Sequence, residues 1–316
     1  MQVRITRLAP SPTGALHLGN ARTFLVNWLL ARQNGWRIIL RIEDLDGPRI
    51  KRGADQQAID DLRWLGIDWD EGPVYQSARL AQYDEAVGRL MESDDTFICV
   101  CSRKDIESAA SAPHSSDGAT VYPGTCRNVL YELKEGTPFA VRFRVGDEVI
   151  AFDDGFAGHQ TFDVARQLGD FVISKSDDTP AYQLAVVVDD AAMGVTDVVR
   201  GDDLLDSTPR QMLLYRALGL ADRIPSYYHL PLVVGPDGRR LAKRHGDSRL
   251  ATYRNADVPA GRVVSRLASW CGIDDLPGEV NIAELIGRFD LARVPRAPIV
   301  FDPDNDPALR LESRRS

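Results

Sequence analysis

This chain has no apolar run near the ~20 residues needed to span a bilayer, which excludes a membrane-spanning helix. Its first residues lack the regions of a signal peptide, since Met1 leads straight into a strand pattern. A cytoplasmic protein with no membrane partner is therefore expected. Positive charge is in short supply: Lys and Arg number 38 against 46 acids, for a net charge of −8. That excludes a nucleic-acid protein held by bulk charge, yet leaves room for RNA binding through a local basic stripe. Cysteine is scarce, at four residues, and there is no internal repeat. What the chain does have is 316 residues with 44% hydrophobic content, sufficient for a substantial core spread over more than one module.

The pattern of elements reads β-α-β-α in the first part. A strand over 2–8 leads to a helix over 19–34, ended by Gly35, and a strand over 36–42 leads to a helix over 54–65. A loop with Gly66 and Gly72 follows, then a helix over 79–92. Such alternation predicts an α/β protein with a parallel sheet and crossover helices. Residues 97–130 interrupt it with a cysteine cluster and a polar tract at 108–118, and short strands at 139–145 and 149–152 predict an inserted β region. The sheet is expected to resume with strands at 183–188, 195–199 and 229–234. A helix over 209–218 has Thr208 as its expected cap and Pro209 at its first position. Helices at 260–270 and 282–289 precede a Pro/Asp/Arg-rich end.

Four segments carry chemistry. Residues 7–20 read Arg-Leu-Ala-Pro-Ser-Pro-Thr-Gly-Ala-Leu-His-Leu-Gly-Asn, a strand end, a Pro/Gly turn and a helix start. A strand–turn–helix of this kind offers free backbone N–H groups and a positive helix end to a polyphosphate. His17 adds a donor for charge developing on phosphate oxygens. Residues 37–44 are an apolar strand ending in Glu43 and Asp44, as suits a buried parallel strand delivering ligands at its carboxyl end. Residues 179–203 hold Tyr182 and, at another strand end, Arg200. Residues 235–246, Gly-Pro-Asp-Gly-Arg-Arg-Leu-Ala-Lys-Arg-His-Gly, form a basic, glycine-bounded loop suited to closing over a triphosphate. With Arg249, its cations Arg239, Arg240, Lys243, Arg244 and His245 also offer a local stripe for RNA. Alone, each segment has a plain explanation as core strand or solvated loop; together, in this order, they do not.

These residues resemble the class I aminoacyl-tRNA synthetases, and within them the glutamyl enzymes. His17-Leu-Gly-Asn20 is similar to the HIGH signature and Arg240-Leu-Ala-Lys-Arg244 to KMSKS, while Arg7-x-Ala-Pro-Ser-Pro-Thr-Gly and Arg41-Ile-Glu-Asp are glutamate-type flanks. The resemblance runs from about residue 3 to about residue 250. Only 72 residues follow Arg244, too few for the two helical anticodon-binding modules of a full glutamyl enzyme. The chain looks more like the short paralogues, the glutamyl-queuosine tRNA(Asp) synthetases, as do Tyr182-Gln-Leu-Ala-Val-Val-Val-Asp-Asp190 and Leu204, which stands where the longer enzymes carry His. Arg240 and Ala242 depart from the family's Lys and Ser, so the loop keeps its charge and loses one hydroxyl. Lys243 is retained.

The resemblance implies a Rossmann-like catalytic domain in two halves, 1–96 and 181–250, around an insertion over 97–180, with a short helical region over 251–316. It implies that ATP is held by His17, Gly19, Asn20 and Lys243, with Mg²⁺ as phosphate counter-ion, His17 and Lys243 being the catalytic pair. L-Glutamate would lie along Arg7 and Ser11, with Glu43 on its ammonium and Tyr182 and Arg200 completing the pocket. Activation would need no tRNA. Glutamate would then pass to queuosine in the anticodon loop of tRNA(Asp), and a monomer is expected. Two other readings stay open: a truncated glutamyl enzyme charging a tRNA 3′ end, and an inactive paralogue that binds RNA or protein.

Cys99-x-Cys101 and Cys126 fall within 28 residues, while Cys271 lies far off. In a cytosolic protein such clustering reads as metal or redox chemistry. A tetrahedral zinc site wants four ligands. Tyr122, four residues before Cys126, completes it as a phenolate in the pattern of the short paralogues. His114 is the more conventional donor on chemical grounds. One structural Zn²⁺ is expected, with three reduced structural thiols as the alternative.

Overall fold

The computed structural model describes residues 3–102, 104–106, 121–239, 241, 248–302, 306 and 309. Its strands in chain order are β1 (Ile5–Leu8), β2 (Arg37–Ile42), β3 (Glu71–Tyr75), β4 (Thr96–Cys99), β5 (Ala140–Phe143) and β6 (Val149–Asp154). Then come β7 (Gly158–Asp163), β8 (Phe171–Ser174), β9 (Asp197–Gly201), β10 (Ser226–Leu230), β11 (Val233–Val234) and β12 (Ile299–Val300). The helices are α1 (Leu18–Asn34), α2 (Ala54–Trp64), α3 (Leu80–Glu92) and α4 (Val164–Gln167), followed by α5 (Tyr182–Ala192), α6 (Ser207–Ala217), α7 (Leu250–Asn255) and α8 (Ala260–Ser269). No described helix is long and apolar enough to cross a membrane.

The chain divides into two compact units. The first comprises residues 1–76, 197–203 and 226–316. Its sheet has the order β10-β9-β1-β2-β3, and every pairing is parallel. The chain moves from β1 through β2 to β3 on one side, then to β9 and β10 on the other. The order therefore reverses between β1 and β9, and ligands of such sheets bind outside the strands' carboxyl ends at this reversal. β2 shows why the strands form: in Arg-Ile-Ile-Leu-Arg-Ile all but the first residue are buried, as expected of a strand covered on both faces. Helix α1 is equally enclosed, with Leu18, Leu25, Val26 and Leu29 at 0–1% exposure. Asn27 fixes it to β1, accepting from Thr6 Oγ1 at 2.9 Å and donating to the Arg7 carbonyl at 2.9 Å. Gly35, in the left-handed region at φ 66°, ends it.

The second unit comprises residues 77–196 and 204–225. It holds an antiparallel sheet, β4-β5-β8, and the hairpin β6–β7. A core of Leu90, Val141, Ile150, Val164, Ile173, Leu184, Val187 and Leu214 joins strands to α3, α5 and α6. Arg79 and Tyr83 both hold the buried Asp189 carboxylate, at 2.7 and 2.9 Å.

The structure corrects several expected elements. Residues 183–188 are part of helix α5, not a strand. Seven of its eleven residues are buried, so no periodicity marks the helix and the Val run mimics a core strand. The loop with Gly72 contains the edge strand β3, where Pro73 is tolerated because an edge needs fewer ladder donors. The strand expected over 229–234 is two, β10 and β11, parted at Pro231. Helix α6 begins at Ser207, with Asp206 rather than Thr208 at the cap position, and Pro209 fits in a first turn whose N–H groups lack helical partners anyway. Residues 282–289 contain only a short 3₁₀ turn, Ile282–Leu285, capped by Asn281.

Candidate active site and metal centre

The residues after β1 build the centre of the first unit's carboxyl edge. His17 caps α1: its Nδ1 accepts from the Asn20 N–H, and the Asn20 side chain accepts from the His17 N–H, both at 3.4 Å. This reciprocal arrangement fixes the imidazole at the positive helix end. A Cβ at Gly19 would stand 3.1 Å from the His17 ring, a tight contact that would press on the imidazole. The chain that resumes at Ser248 is bonded onto this turn: Leu18 N–H donates to Ser248 O and Leu250 N–H to Leu16 O, both at 2.9 Å. Residue 248 therefore returns to the HIGH-like turn. Arg240, Ala242, Lys243, Arg244 and His245 of the basic loop lie outside the described residues, as does His114.

Arginines gather at the same edge. Arg7 on β1, Arg41 on β2 and Arg200 on β9 are 4%, 0% and 4% exposed. Register places Thr6 beside Asp197 and Leu8 beside Leu40, so Arg41 and Arg200 stand level with the chain just past β1. Glu43 continues β2; its N–H donates to the Pro10 carbonyl at 3.1 Å, next to the exposed Ser11, and its Oε1 lies 3.1 Å from Arg41 Nη2. Thus Arg7, Ser11, His17, Glu43 and Arg200 share one edge of the first unit, with Gly19 and Asn20 in the first turn of α1. Tyr182 is the first residue of α5 in the second unit, 37% exposed. Cations flanking one carboxylate, beside a helix N-terminus, suit an anionic molecule that also bears an ammonium.

The sequence reading missed His229. It pairs with Arg200 in the β9–β10 register, and its Nε2 accepts from Arg200 Nε at 2.9 Å. Just past the carboxyl end of β9, Asp202 is held above its ordinary value by burial and by Asp203.

Cys99, Cys101 and Cys126 converge in the second unit, their sulfurs all within 4.8 Å of one another. Tetrahedral zinc with 2.3 Å bonds sets sulfurs about 3.8 Å apart, so the spacing fits. Tyr122 Oη lies 3.5 Å from Cys99 Sγ and accepts the Cys126 N–H at 2.7 Å. Tyr131, also missed in the sequence, donates to Cys126 Sγ at 3.2 Å. Burial opposes charge throughout and pushes Cys101 up to about 12. At Cys126 burial is outweighed by hydroxyls of Tyr122 and Tyr131, which bring it to about 6. Among the described residues this is the cluster whose geometry could hold a metal ion.

A signature turn at the reversal point of a parallel sheet, with the chain at residues 248–250 bonded onto it, defines a class. The family described as class I tRNA synthetases (E and Q), catalytic domain, matches residues 2–302, and the chain belongs to it. Within that family it is 51% identical to the glutamyl-Q tRNA(Asp) synthetase of Symbiobacterium thermophilum, over 96% of this chain and 97% of that protein. Its identity to the protein of the same name from Rhodopirellula baltica is 48%, over 96% and 98%. The glutamate–tRNA ligase of Citrifermentans bemidjiense is 40% identical, but the match spans only 64% of its length. Among solved structures, a glutamate tRNA ligase from Elizabethkingia meningosepticum in complex with its amino acid aligns with a TM-score of 0.79 at 30% identity. That alignment covers 95% of this chain and 67% of the ligase.

Proposed function

We propose that this chain activates L-glutamate with ATP and Mg²⁺, without tRNA, and transfers it to queuosine in the anticodon loop of tRNA(Asp). The observation that carries the reading is end-to-end similarity to proteins named glutamyl-Q tRNA(Asp) synthetase, against partial coverage of the longer ligases. In it, the glutamate carboxylate attacks the α-phosphorus of ATP and pyrophosphate leaves. The protein aligns the two and balances charge on the phosphates. His17 serves from the α1 terminus, with Gly19 and Asn20 beside the nucleotide, and Lys243 from the basic loop. Arg7, Ser11, Tyr182 and Arg200 take the amino acid and Glu43 its ammonium. A site with buried arginines disfavours glutamine, whose neutral amide leaves a cation unmatched.

Cys99, Cys101, Cys126 and Tyr122 hold one structural Zn²⁺, the closeness of Tyr122 to two of the thiols favouring it as fourth ligand. The protein works in the cytoplasm as a monomer. Labelled glutamate offered with queuosine-bearing tRNA(Asp), queuosine-free tRNA(Asp) and tRNA(Glu) tests the activity. Label is expected on the first alone; charging of queuosine-free tRNA(Glu) would overturn the reading.

A further inference from the structure

We infer that His229 is a positioning residue for glutamate, acting through Arg200; this rests on the proposed place of Arg200 in the glutamate pocket. The two side chains stand on paired positions of neighbouring parallel strands, β9 and β10, and both are buried, at 4% and 1% exposure. Arg200 Nε donates to His229 Nε2 at 2.9 Å. An imidazole nitrogen that accepts carries no proton, so the neutral ring keeps its hydrogen on Nδ1. The contact takes the edge-on N–H of the guanidinium and so sets the direction of its Nη pair, the fork by which an arginine meets a carboxylate. Tyr227 supports both partners: the Arg200 guanidinium carbon lies 5.3 Å from its ring centroid, and the His229 ring stacks on it at 6.0 Å and 17°. A guanidinium has several torsions to lose on binding. With its Nε anchored and its plane beside an aromatic ring, that loss is met on folding, before substrate arrives.

A structural histidine would make a different prediction from one that orients a ligand-binding arginine. Steady-state ATP–pyrophosphate exchange with glutamate measures KM for each substrate in His229→Leu, which removes the acceptor, and His229→Gln, whose amide oxygen can replace Nε2. The expected result is a glutamate KM raised about tenfold or more in His229→Leu, with ATP KM within twofold of the parent. His229→Gln should return to within about threefold. Equal rises in both KM values, an unchanged glutamate KM, or a folded Gln variant no better than Leu would each overturn the inference. Should His229→Leu fail to fold, His229→Asn, polar but too short to reach, takes its place against Gln under the same criteria. Arg200→Lys serves as the separate arm. If it leaves glutamate KM unchanged, the placement of Arg200 in the pocket fails; if it raises KM while the His229 variants do not, only the role of His229 fails.

Discussion

Asp61 lies on α2 with a fully buried side chain whose oxygens receive no hydrogen bond among the described residues. Its nearest cation is Arg254 Nη1 on α7, at 3.2 Å. Burial raises its pKa from 3.8 to about 6; Asp60 adds to this and Arg254 opposes it. Because the folded value exceeds the unfolded one, the folded protein holds this proton more tightly. The associated stability is present in full below about pH 4 and is lost as pH rises through about 6. Two pKa units correspond to about 3 kcal/mol. Asp61→Asn should therefore gain on the parent by about 2–3 kcal/mol between pH 4 and pH 7 in urea unfolding. Parallel pH profiles would show that the buried charge costs nothing.

At the proposed zinc site the two tyrosines are expected to separate by role. Tyr122→Phe removes a proposed ligand, and zinc affinity in chelator competition should fall by more than 100-fold. Tyr131→Phe removes only a hydrogen bond to Cys126, a proposed ligand, which should cost about tenfold. A larger loss in Tyr131→Phe than in Tyr122→Phe would mean that Tyr131 is the ligand, and equal losses would remove the distinction between them. That the three cysteines and Tyr122 lie together was legible in the sequence because their spacing is local. Tyr131 and His229 were not, since neither belongs to a local motif and the fold alone supplies its partner.

At the scale of elements, β3 shows how a turn-like sequence is made into a strand. Gly72 has φ 101°, and a Cβ there would overlap the Leu40 carbonyl oxygen of the neighbouring strand. Gly72 and Pro73 signal a loop by composition, whereas only pairing with β2 reveals the edge strand. Gly72→Ala combines a disfavoured backbone region with a backbone clash, so a loss of at least about 2 kcal/mol is expected in the urea midpoint. A shift within about 0.5 kcal/mol would mean that β3 moves aside freely. Helix α5 is the converse case, where burial on nearly every side erased the period that marks a helix. By contrast α1 and β2 were legible to within a residue, and β1 at its carboxyl end, though it starts at Ile5 rather than at residue 2. Their caps, glycines and apolar runs agree with the tertiary fold, which is the condition under which local pattern is informative.

For the whole molecule, the sheet's reversal between β1 and β9 collects segments from residues 7–20, 41–43 and 197–201 at one edge. The sequence gives no local mark of strand order; the paired signatures alone indicated that distant segments meet. Charge at this scale supplies the last test. The net charge of −8 repels RNA overall, so any tRNA is held by a few local cations rather than by the field of the protein. For about three phosphate contacts on a single-stranded loop, the affinity varies with roughly the second power of salt. Raising KCl from 50 to 200 mM should then weaken tRNA(Asp) affinity, read from the KM of the transfer step, by about 15- to 20-fold. Glutamate-dependent ATP–pyrophosphate exchange without tRNA should change by less than about twofold, because Arg7 and Arg200, the proposed glutamate contacts, are buried and salt screens buried pairs little. If both steps lose activity in parallel, salt is acting on the catalytic centre, and the tRNA is not bound through a separate local basic surface.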